Sequence, residues 1–126
     1  MILTRFEKDN PFLAYRAPAL GFAVLIFIMS SIPGYEFPEL PFYSFDKIVH
    51  AIEFGLLGML LFRAFRYPKP LKRPYLMTLC TGIPYAALDE LHQLFVPGRF
   101  CSIADFVMDV LGLVVFAGIS ARLNKK

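Results

Sequence analysis

The chain has 126 residues, 57% of them hydrophobic, 16% aromatic and only 18% charged, with a net charge of +3 and a mean hydropathy of +0.57. A soluble domain of this size has a large surface to cover and carries about a quarter charged residues, so the composition argues against water and for a bilayer. No Lys/Arg run is interleaved with stacking aromatics, which sets nucleic acid aside.

Residues 1–15 carry Arg5, Glu7, Lys8 and Asp9 and are expected at the cytoplasmic interface. Ala17 to Tyr35 then holds no charge for nineteen residues, and about twenty span a bilayer core. A helix is expected over 17–34, with Pro18 near its start and Pro33-Gly34 at its end. Mixed residues precede it and no Ala-x-Ala site follows, so it reads as a retained helix rather than a cleaved signal.

A loop from Glu36 to Ser44 holds Pro38 and Pro41. The second helix is expected over 45–65. Its first two turns are polar, the rest is apolar, and Arg63 and Arg66 mark its far end. Tyr67 to Pro74 is too rich in proline to be helical. The third helix is expected over 74–96. Pro84 removes one backbone hydrogen bond and should kink it one turn before Asp89. Pro97-Gly98 ends it. The fourth is expected over 103–121, with Asp105 and Asp109 near its start. Only the first helix passes a simple hydropathy test. Charges within the other three are costly in lipid and should face the bundle interior or a water-filled cavity. Cys80 and Cys101 make neither a disulfide framework nor a zinc pattern. Residues 1–126 thus read as one all-α domain, an integral membrane four-helix bundle with short extracytoplasmic loops. The bland alternative, a soluble all-α bundle, fits the composition poorly.

Eleven of the thirteen basic residues fall before the first helix, around the second loop or after the fourth helix; Lys47 and Arg99 fall on the other side. By the positive-inside rule both termini are cytoplasmic. The polar clusters sit at the start of helix two, the end of helix three and the start of helix four. These are all outer ends, so one extracytoplasmic site is expected.

The stretch Tyr85 to Arg99 places Asp89, Glu90, His92 and Gln93 inside an apolar run. On helix two, Asp46, His50 and Glu53 share a face, and Glu53 lies about 10 Å deeper than Asp46. On helix three, Asp89 and Gln93 share a face, with Glu90 about 100° round. On helix four, Asp105 and Asp109 are one turn apart, and Gly112 allows close packing. Arg99 can pair with several carboxylates or bind an anion in bidentate fashion. Plainer roles exist for some of these. Asp46 could be a helix-start residue and Lys47 an interface anchor. Asp105 could serve the helix dipole, Gln93 a helix–helix hydrogen bond, and Pro97-Gly98 a turn. His50, Glu53, Asp89, Glu90 and Asp109 are harder to place that way, because two local cations face at least six acids. The surplus suggests a bound cation, shared protons or water.

Ser31-Ile32-Pro33, then Asp46-Lys47 with His50 and Phe54 leading into Gly55-Leu56-Leu57-Gly58, resemble the VanZ-like family of small bacterial membrane proteins. Asp89-Glu90 with Gln93, Pro97-Gly98-Arg99, Asp105 and Gly112 are the most specific part of that resemblance, which runs from about Ser30 to Gly118. The chain departs from the family at Asp109, where Asn is common. The resemblance implies a bacterial cytoplasmic membrane protein, associated with resistance to the glycopeptide teicoplanin, and no settled reaction.

Three functions are open on these residues. The first is an enzyme or lipid-modifying protein acting on a cell-envelope precursor or lipid headgroup. His50, Glu53, Asp89 and Glu90 would be its catalytic groups, with His92 a further candidate base. Asp46, Lys47, His92, Gln93, Arg99, Asp105 and Asp109 would bind the ligand. A divalent cation is a candidate cofactor: oxygen ligands favour magnesium, calcium or manganese, and imidazole favours zinc. No His-Glu-x-x-His spacing supports it. The second is a protein that binds or shields an envelope ligand or glycopeptide without chemistry. The third, a proton-coupled carrier, suits four helices least. The bilayer is the one partner the composition implies; the oligomeric state is open.

Overall fold

The computed structural model describes residues 4–38 and 43–125, and it is all-helical over them. A short helix, α1 (Arg5–Asp9), opens on a capping box: Glu7 N–H donates to the Thr4 hydroxyl, and Thr4 N–H donates to the Glu7 carboxylate at 2.8 Å. A wide turn over Phe12–Arg16 runs directly into α2 (Ala17–Ser31). The first apolar helix is therefore Phe12–Ser31, starting earlier and ending sooner than 17–34. Ile32 is extended, as the residue before Pro33 must be.

Three long helices follow: α3 (Tyr43–Arg66), α4 (Pro74–Gln93) and α5 (Ile103–Leu123). α4 continues through Pro84 and stops at Gln93, short of 96. Phe95 N–H bonds to the His92 carbonyl and Val96 N–H to that of Gln93, tightening the chain into turns ahead of Pro97. The loop residues 39–42, including Pro41 and Phe42, lie outside the described residues.

Three helices, not the first alone, are long and apolar enough to cross a membrane: Phe12–Ser31, Ser44–Arg66 and Ile103–Leu123. In α5 the charges gather near the ends, and in α3 only Glu53 stands away from them, so the apolar residues dominate each span. The outer faces carry Leu20, Val24 and Ile28 on α2 and Leu111, Val115 and Ile119 on α5, all exposed. These i, i+4, i+8 rows form apolar surface that suits lipid.

α3 and α5 make the most extensive contact, α4 packs on both, and α2 touches α3 and α4. Phe54, Leu57, Ala86, Leu113 and Ile26 form the apolar core. The α3–α5 approach depends on Gly112, where a Cβ would fall 2.1 Å from the Ala51 carbonyl oxygen. The two loops at this end are also joined. Gly34 N–H donates to the Pro97 carbonyl at 2.9 Å, Gly98 has φ +73°, and a Cβ on Gly34 would lie 1.8 Å from the Gly98 oxygen. Pro97-Gly98 is thus a turn that seats one loop on the other.

Candidate functional site

Each of the three packed helices buries one stripe, and each stripe gathers its titratable side chains at one end. On α4 it runs through Thr78, Gly82, Ala86, Asp89, Glu90 and Gln93; on α5 through Asp105, Asp109, Gly112, Leu113, Ala117 and Ser120. On α3, His50 precedes buried Phe54 and Leu57. The antiparallel order brings the polar ends together.

His50 is at the centre. Its Nδ1 is 2.9 Å from Asp109 Oδ1 and 3.9 Å from Glu90 Oε1. Its Nε2 is 3.9 Å from Asp46 Oδ1 and 3.8 Å from Asp105 Oδ2. The Gly112 contact explains the short distance: Ala51 adjoins His50, and Asp109 is one turn before Gly112. Lys47 pairs with Asp105 and lies 3.4 Å from Asp46. Ser102 caps α5 through Asp105 N–H, and its own N–H donates to Glu90 Oε2 at 2.9 Å. Gln93 Nε2 donates to Asp89 Oδ2 at 3.4 Å.

In front of this cluster is a cavity of about 820 Å³. Asp46, Lys47, His50, Glu53, Gln93, Arg99 and Asp105 line it, with Met29, Phe37 and Phe100 among its apolar wall. Asp89, Glu90 and Asp109 stand behind that wall, each at most 4% exposed. Their Asp89 Oδ1, Glu90 Oε1 and Asp109 Oδ2 atoms are buried with no hydrogen-bond partner. Two overlapping triads could hold a metal ion, Asp46–His50–Asp105 and His50–Glu90–Asp109, with ligand atoms within 4.8 Å of one another in each.

Two residues sit differently from expectation. His92 does not line the cavity; its Nε2 is 2.9 Å from the Ser31 hydroxyl and its ring stacks on Phe27 at 4.6 Å. Two residues along a helix is a turn of about 200°, which points His92 away from Glu90 and toward α2. Arg99 makes no carboxylate pair among the described residues. Its Nε and a terminal nitrogen donate to the Ile32 and Met29 carbonyls, both at 3.0 Å, and its guanidinium lies 4.3 Å from the Phe37 ring centre. It satisfies the open carbonyls at the C-terminal end of α2, a favourable place for a cation.

Ser30 is a site residue that sequence reasoning missed. It is buried, lines the cavity and lies against Asp89. A small polar residue closing an apolar span is a weak signal of a helix contact.

A family model, VanZ/LLP1, matches residues 6–124. The chain belongs to the VanZ/LLP1 family. The matched region takes in every side chain of the cluster and all the helices that carry it. VanZ/LLP1 membership and the three apolar helices together identify a VanZ-like membrane protein with a buried acid–histidine site. No curated protein and no solved structure matches the chain.

Proposed function

We propose that the cavity receives the polar headgroup of a lipid or lipid-linked cell-envelope precursor at the outer face of the bacterial cytoplasmic membrane, and that His50 and Glu53 exchange protons with it. The observation that carries this reading is a buried histidine–carboxylate cluster forming one wall of a cavity at the end of membrane-length helices. The volume of about 820 Å³ falls within the usual range of ligand sites, about 300–1,000 Å³. A headgroup could enter there while its chains remain in lipid.

The topology in this reading is a single-domain four-helix bundle over 1–126. Both termini are cytoplasmic in it, a placement the eleven basic residues at the far end support. His50 and Glu53 are the imidazole and the carboxylate that line the cavity outside the Asp46–Lys47–Asp105 group, which is internally paired. Asp89, Glu90 and Asp109 set the charge behind them. Lys47 and Arg99 provide positive potential for a phosphate or carboxylate. The association of VanZ-like proteins with teicoplanin resistance agrees with this reading, in which the protein contributes to resistance by altering or covering the precursor.

A second reading, shielding without chemistry, is favoured by the pairing of the wall itself. Asp105 and Asp46 both pair with Lys47, so much of the surface is built for recognition.

The test is teicoplanin susceptibility of a sensitive host expressing the wild type or the variants His50→Gln, Asp89→Asn and Glu90→Gln. These keep size and most hydrogen bonding. Protection by the wild type that all three lose, at equal membrane levels, supports chemistry. Protection that survives all three leaves the shielding reading. No protection by the wild type overturns the link to glycopeptides. Cys101 is exposed in the loop between α4 and α5. Its labelling by an impermeant thiol reagent in intact cells is expected, and labelling only after permeabilisation would invert the topology.

A further inference from the structure

We propose that His50, Glu90 and Asp109 hold a divalent ion of the zinc or manganese type behind the cavity wall. This rests on the acidic end being the working site. It assigns the inner triad a ligand and fixes the role of His50.

The strongest sign is the pair of oxygens with nothing to bond. Glu90 Oε1 and Asp109 Oδ2 are buried with no hydrogen-bond partner, in residues that are 3% and 0% exposed. Leaving such groups unpaired is costly, and more so for a carboxylate than for a neutral group. The unpartnered Glu90 Oε1 lies 3.9 Å from His50 Nδ1, and the other oxygen of Asp109, Oδ1, is hydrogen-bonded to that nitrogen at 2.9 Å. Two atoms that each bind one ion at about 2.1 Å lie about 3–4.2 Å apart, so the Glu90 spacing fits a shared ion directly, and at Asp109 the ion would replace the hydrogen bond to Nδ1.

The outer triad is the weaker candidate. Asp105 and Asp46 already have the Lys47 ammonium as their cation. At the inner triad the group facing both carboxylates is the imidazole. Its surroundings also resemble the supporting bonds around a metal ligand. Ser102 N–H fixes the second oxygen of Glu90 at 2.9 Å, and the second nitrogen of His50 faces Asp46 and Asp105. One imidazole with two carboxylates suits zinc or manganese better than calcium.

An ion on Nδ1 takes that lone pair, so Nε2 carries the proton and presents it to the cavity. His50 would then offer the cavity a hydrogen bond through Nε2–H rather than a base, leaving Glu53 as the proton acceptor on the wall.

The experiment uses the full chain in mild detergent, stripped with a chelator, incubated with Zn²⁺ or Mn²⁺, desalted and subjected to elemental analysis. The wild type should retain one ion per chain. Asp109→Asn and Glu90→Gln should lower the affinity at least about tenfold, the loss expected even for an outer-shell partner. Asp46→Asn should lower it less than either, because Asp46 faces the ion only through His50 Nε2. His50→Gln serves if either isosteric variant fails to elute as a folded monodisperse species. A folded wild type that retains no more ion than Glu90→Gln overturns the proposal, as does an ion that Asp46→Asn loses and Asp109→Asn keeps. No ion, together with teicoplanin protection that still requires His50, removes the metal and leaves the headgroup reading. A stoichiometric ion without any protection leaves the metal and removes the glycopeptide role.

Discussion

α3 and α5 carry polar groups at both ends, and the two ends meet their charges differently. Around His50, five carboxylates from Asp46, Asp89, Glu90, Asp105 and Asp109 surround one imidazole and one ammonium, and three of their oxygens are buried without a hydrogen bond. At the opposite end, Arg63 lies 3.5 Å from Glu7 and 5.1 Å from the Tyr15 ring centre. Tyr15 stacks on Tyr67, Arg66 lies over Tyr67, and the Tyr67 hydroxyl donates to Asn124 at 2.7 Å. The Tyr15 hydroxyl is the one buried side-chain polar atom there without a hydrogen-bond partner among the described residues. That end is a clamp of paired charges and stacked rings that ties α1 and the start of the first span to α3 and α5. Polarity alone therefore does not mark a site in a membrane protein. Unmatched, buried charge does.

The contrast predicts unequal responses to mutation. The largest should come from His50→Ala, which leaves Asp109 and Glu90 buried opposite a void. Removing one partner of a buried pair costs about 3–5 kcal/mol, readable as a fall in the thermal unfolding midpoint in detergent. Next is Gly112→Ala. Its Cβ would meet the Ala51 carbonyl, a backbone atom that cannot swing aside, so the cost should reach the upper end of overpacking, about 3 kcal/mol. Because the α3–α5 crossing sets the His50–Asp109 distance, this variant should also lose ion binding. Arg63→Ala, at the clamp, should lower the midpoint by about 4 °C or less and leave the cavity's ligands bound. A large loss there, with a small one at His50, would reverse the comparison.

The smallest effect is pH-dependent and confined to the clamp. The Thr4 backbone N–H, followed by its hydroxyl, holds the Glu7 carboxyl below its ordinary value of 4.5. A lowered carboxylate contributes stability that is fully present above 4.5 and fades as pH falls through the lower folded-state value. Protection of the α1 amides, measured relative to their intrinsic exchange rates, should therefore fall in that acidic range. Protection that is flat with pH would deny the Thr4–Glu7 box any role in docking α1.

Much of the polar end was legible in the sequence. Apolar runs place the helices, and the acids collect at the three termini that meet. Gly112, one turn after Asp109, already marked a close crossing. His92 was legible in principle, since two residues along a helix turn a side chain to the far face. Arg99 was not, because a sequence displays its charge and hides the carbonyls at the end of α2 that compete for it. Ser30 depends on how α2 registers against α4, which is a tertiary contact. The clamp went unread for a similar reason: α1 has only five residues, too few to show periodicity, and its partner Arg63 is 56 positions away.

The central claim is that the acidic end, not the clamp, is the working end. Native mass spectrometry of the chain released from mild detergent tests it directly. The account predicts a co-purified lipid or lipid-linked adduct on the wild type and on Arg63→Ala that is lost from Glu53→Gln and His50→Gln. An adduct that survives both cavity substitutions and disappears with Arg63→Ala would contradict it and move the site to the clamp.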